Sequence, residues 1–77
     1  MPVEFKNNTA KFTDLVSIEY AEALFNWFLE RKKPKIDLNE LNHIHSACLQ
    51  LLFIFKPELI ALPEQEDLKM FFTEGGK

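Results

Sequence analysis

Glycine is almost missing from this chain: Gly75 and Gly76, near the carboxyl end, are the only two. Without an internal glycine there is no Gly-rich loop of the kind that cradles phosphates in nucleotide-binding folds. Cys48 is the only cysteine, which excludes an internal disulfide. The longest apolar run covers residues 51–55, far short of the roughly 20 residues a membrane-spanning helix needs. The start, Met1-Pro2-Val3-Glu4, has neither the basic nor the apolar region of a secretory signal. These absences predict a cytoplasmic, reduced setting with no direct membrane insertion. A basic surplus is missing too. The net charge is −3, and the cations gather at Arg31, Lys32, Lys33 and Lys35. No basic face emerges elsewhere, which argues against nucleic acid as a partner. That cluster reads as the positively charged close of a helix ahead of Pro34.

Large apolar side chains, by contrast, are plentiful, with eleven Leu, eight Phe, five Ile and one Trp among 77 residues. This is too hydrophobic for a disordered chain. The length fits one domain. A domain this small buries only about 60% of the surface its unfolded form exposes, so an apolar face left over for a partner or a second copy is expected.

The pattern along the chain alternates strands and helices. Val3–Lys6 and residues 10–13 alternate apolar with polar or charged side chains. Asn7, Asn8 and Thr9 between them suit a hairpin loop that puts Phe5 and Phe12 on one face. Ser17 is a candidate N-cap for a helix reaching about Lys32, with Ile18, Ala21, Leu24, Phe25, Phe28 and Leu29 on its apolar stripe. Tyr20 and Trp27 are placed beside that stripe. Pro34 ends the helix. Ile36 and Leu38 form a short strand, followed by a loop with Asn42, His43 and His45, and then a helix over residues 46–55. Residues 59–62 are an apolar run of strand length. Pro63 suits the first turn of a last helix, whose stripe is Leu68, Phe71 and Phe72, with Gly75 and Gly76 ending it. A hairpin followed by this alternation predicts an α/β fold: a mixed sheet of about four strands with parallel crossovers and three helices.

Residues 35–56 (KIDLNELNHIHSACLQLLFIFK) carry most of the chemistry. Ser46 stands at the start of a helix, where free backbone N–H groups converge and the dipole favours an anion. A phosphoryl group there would be stabilised. His43 and His45 form an H-x-H pair, but no third and fourth ligand lies near in sequence, so no metal is expected. His45 beside Ser46 is placed to change the local charge on protonation. A serine with its direct neighbour as base lacks the geometry of nucleophilic catalysis, and no enzyme or cofactor is expected. In the helix from Ser46 only Gln50 is polar between Ala47 and Phe55. Leu49, Leu52 and Phe53 are assigned to the sheet, which leaves Cys48, Leu51 and Phe55 to be covered by the last helix or exposed; partial cover with a docking patch is the reading.

Residues 37–52 resemble the signature of the STAS domain family, the fold of bacterial anti-sigma factor antagonists. Asp37-Leu38 matches its strand-ending Asp-Leu pair, Ile44 its apolar position, Ser46 its serine, and Leu49 and Leu52 its helix core. Residues 15–24 are similar to the family's entry into its first helix. His45 replaces the usual acidic residue before the serine, and Cys48 stands where a small Gly is common. The family normally adds a further strand and helix beyond the point where these 77 residues end. The resemblance implies a non-enzymatic interaction module whose serine is phosphorylated by a kinase-like anti-sigma factor. The alternative within the family is an adaptor docked on a transport ATPase. A self-associating structural subunit, a homodimer through the apolar helix, is the reading from another class. The implied contact surface is Asn42, His43, His45, Ser46, Cys48, Leu51 and Phe55.

Overall fold

Alternation of Val3 and Phe5 with Glu4 and Lys6 sets the first strand, β1, Val3–Lys6, paired antiparallel with β2, Thr9–Val16. The computed structural model describes residues 2–73. Asn7 closes the hairpin at φ 46°, a left-handed geometry that asparagine tolerates. Phe5 lies opposite Ala10, and Val3 opposite Phe12, so all four project to one face as the alternation predicts.

The chain leaves β2 through a 3₁₀ turn, Ile18–Tyr20, before α1, Ala21–Glu30. Ser17 makes no side-chain cap; its carbonyl accepts from the Tyr20 N–H at 3.1 Å instead. The helix therefore starts later and ends earlier than the sequence suggests, and its buried face is rotated. Leu24, Trp27 and Phe28 are buried, whereas Ile18, Phe25 and Leu29 are exposed. The cause is β1, which widens the sheet on that side: Phe5 meets the Trp27 ring at 5.4 Å. The basic residues lie beyond the helix rather than in its last turn. The Arg31 guanidinium sits 5.4 Å from the Trp27 ring, and its Nε donates to the Asn7 carbonyl at 2.9 Å. Asn8 Nδ2 donates to the carbonyls of Lys32 and Lys33 at 3.1 and 2.7 Å. The hairpin loop and the α1–β3 turn are thereby tied together.

β3, Lys35–Ile44, runs parallel to β2, and β4, Glu58–Ala61, runs parallel to β3. The strand order is β1-β2-β3-β4. The crossover helices are α1 and α2, Ser46–Phe55. They share one face of the sheet, because Phe55 packs against both Phe25 and Phe28. Helix α3, Glu66–Thr73, follows β4, and its Phe72 lies 6.3 Å from Phe53 of α2. A mixed four-stranded sheet with three helices is thus the α/β arrangement that the alternation predicts.

β3 is much longer than expected, and Asn42 and His43 lie in it rather than in a loop. Its buried residues are Ile36, Leu38, Leu41 and Ile44, spaced two, three and three apart. Register shifts between Lys11 and Thr13 and between Asp14 and Leu15 each leave one extra residue in β3. Such bulges break the period of two while keeping the apolar side chains inward. Asp14, at φ 56°, lies beside them.

The core joins Val3, Phe12 and Val16 to Leu24, Phe28, Ile36, Leu38, Leu41 and Leu52. Each such large side chain contributes about 1.5–3 kcal/mol when fully buried. The opposite face carries the Lys11–Glu40 ion pair at 3.2 Å, together with exposed Leu15 and Ile60. β4 starts one residue earlier than the apolar run, and the buried Pro63 precedes α3 rather than opening it. The proposed stop at Gly75 and Gly76, and the Phe71 side chain, lie outside the described residues.

Candidate functional site at the amino end of α2

His45, not Ser46, caps α2. Its backbone is extended (φ −64°, ψ 144°), and its Nδ1 accepts the Ala47 N–H at 3.0 Å. The His45 N–H donates to the Val16 carbonyl at 2.8 Å, which fixes the cap to the end of β2. Its carbonyl accepts from the Cys48 and Leu49 N–H groups, both at 3.0 Å. Accepting at Nδ1 places the neutral ring's proton on Nε2, a tautomer assigned from the bond. The hydrogen bonds also revise the expected anion nest. The N–H groups of Ala47 and Cys48 are already engaged, so an anion at Ser46 would meet the helix dipole more than free donors.

Ser46 is exposed at the first position of the helix, at the carboxyl end of β3. Its hydroxyl has no hydrogen-bond partner among the described residues. His43 is exposed on β3, and His45 is half-buried. Asn42 is exposed and links β2 to the segment before α3: its Nδ2 donates to Asp14 Oδ1 at 3.3 Å, and its Oδ1 accepts from Gln65 Nε2 at 2.9 Å. A polar groove of about 490 Å³ opens there, with Glu40 and Glu64 among its walls.

His43, His45 and Ser46 do not line this groove, and the other three expected contact residues lie further along α2. Cys48 is fully buried, and its Sγ donates to the Ser17 carbonyl at 3.4 Å. Burial pushes its thiol pKa up. Leu51 is half-buried against the core, and Phe55 is half-buried with its ring on Phe28 at 5.0 Å. Cys48, Leu52 and Phe55, spaced i, i+4 and i+7, form the inward stripe. The outward apolar residues of α2 are instead Phe53 and Ile54, 39% and 64% exposed. Gln50 was the available signal: residues three and four beyond the single polar position of this segment share its solvent-facing side.

Among the described residues no group of three or more His, Cys, Asp or Glu side chains could hold a metal ion. No helix among the described residues is long and apolar enough to cross a membrane. Comparison with family models, curated proteins and solved structures gave no match to this chain.

Proposed function

We propose that this chain is a non-enzymatic interaction and regulatory module, working in the cytoplasm in the manner of the anti-sigma factor antagonists it resembles. Ser46 is its centre and the site of a phosphorylation switch. One observation carries the reading: His45 takes the capping role that ordinarily explains a serine at this position, so the exposed Ser46 hydroxyl is left without a structural task. Its place at the carboxyl end of the parallel strands is where open α/β sheets meet their ligands. A phosphate on it adds about −1.5 to −2 charge. The dipole of α2 stabilises that charge by roughly 0.3–1 kcal/mol, so the fold stays intact and a kinase-like anti-sigma factor or another ATPase senses the change.

Exposed Phe53 and Ile54 favour a second reading, an adaptor held on a transport ATPase by apolar contact without any phosphate. A homodimer through the same residues is the third. Ser46→Asp and Ile54→Glu separate them when the full chain is used to capture partners. The switch expects Ser46→Asp to change capture while the unfolding midpoint does not fall. Capture indifferent to Ser46→Asp but lost with Ile54→Glu supports the adaptor. A solution mass that halves with Ile54→Glu supports the homodimer.

A further inference from the structure

A second cleft, of about 480 Å³, lies at the other end of the sheet, where β3 and β4 begin. Arg31, Lys33 and Lys56 line it against a single carboxylate, Glu58. Phe28 and Phe55, stacked at 5.0 Å with ring planes 17° apart, give it an apolar wall.

The backbone beneath the two lysines is unusual. Four non-glycine residues among those described have positive φ: Asn7, Asp14, Lys33 and Lys56. Asparagine and aspartate visit this region readily, and lysine does not. Lys33 has φ 54°, and Lys56, the C-cap of α2, has φ 51°. Glycine or asparagine would hold either turn at lower cost. Both costly positions carry an ammonium group, and both open on the same cleft. Neither lysine side chain has an ion-pair or hydrogen-bond partner among the described residues. Outliers of this kind are where function is to be sought.

We propose that this cleft binds a small phosphate monoester with an apolar, planar body. Arg31 is already committed, through Nε to the Asn7 carbonyl, through Nη1 to Glu30 Oε1 at 3.5 Å and by its face to Trp27, so no free planar fork is offered to a carboxylate. Two compact ammonium groups suit a tetrahedral dianion instead. The volume lies within the range of roughly 300–1,000 Å³ typical of small-molecule sites, and the Phe55 ring meets the body of the ligand. The site is independent of Ser46, which lies past the opposite end of β3.

The test is titration of the full chain with phenyl phosphate and, separately, inorganic phosphate, at low salt, followed by backbone amide shifts. Phenyl phosphate is expected to move the amides of Lys33, Phe55 and Lys56 and to bind more tightly than inorganic phosphate. Lys33→Gly and Lys56→Gly should each fold, with a raised unfolding midpoint, and each weaken binding about tenfold. Glu58→Gln should tighten it, and Ser46→Ala should leave it unchanged. Shifts absent at these residues overturn the proposal. So do glycine variants that gain stability with binding intact, or equal binding of the two phosphates.

Discussion

Phe28 of α1 stacks on Phe55 of α2 with ring centroids 5.0 Å apart and planes 17° apart. This pair joins the two crossover helices. Phe28 is 3% exposed, so Phe28→Ala should cost about 3–5 kcal/mol in urea unfolding, and the half-buried Phe55→Ala less. A double-mutant cycle should return a coupling of about 0.5–1.5 kcal/mol. A coupling of zero means that the helices dock independently of the stack.

The His45 cap gives a second expectation. His45→Ala should lower stability by about 1 kcal/mol, and His45→Asn, which offers another acceptor, should restore most of it. Equal unfolding midpoints for all three proteins would show that the Ala47 N–H finds water just as well.

Cys48 should be inert. Its raised pKa and complete burial predict no reaction with a thiol reagent until the chain unfolds. Folding favours the neutral thiol, so its stabilising effect is whole below the ordinary thiol value of 9.0 and is lost as pH rises from there through the folded value. Cys48→Ala should flatten that alkaline decline. Rapid labelling of the native protein contradicts the burial.

The left-handed lysines make a stability prediction of their own. Lys33→Gly and Lys56→Gly should each raise stability by roughly 0.5–1 kcal/mol, measured by denaturant midpoint. Destabilisation by either would mean that the lysine stems pack more than they strain.

Much of this fold can be read from local pattern, because Val3, Phe5, Ala10 and Phe12 alternate cleanly and Pro34 and Pro57 mark where helices must stop. Residues 46–55 also stand out as a helix. The face of that helix is marked only by Gln50, because every other residue from Ala47 to Phe55 is apolar and hydrophobic period alone carries little signal. The real stripe depends on which neighbours arrive: Phe28 claims Phe55, and the Ser17 carbonyl claims the Cys48 thiol. The second half of β3 was hidden for another reason. Its two bulges are dictated by eight residues of β2 pairing with ten of β3, a long-range relation that no local window contains. His45 was masked by residue type, since serine is the more familiar cap and stands one position later.

The Asn8 amide, held by the carbonyls of Lys32 and Lys33, bears on how the molecule comes apart. A hairpin whose outer strand lies at a sheet edge would ordinarily fray from that strand. Here its tip is latched to a corner 24 positions further on, so opening the hairpin also loosens the entry to β3. The hairpin and β3 should therefore exchange their amide hydrogens as one cooperative block, and Asn8→Ala should speed exchange at the hairpin tip and at the start of β3.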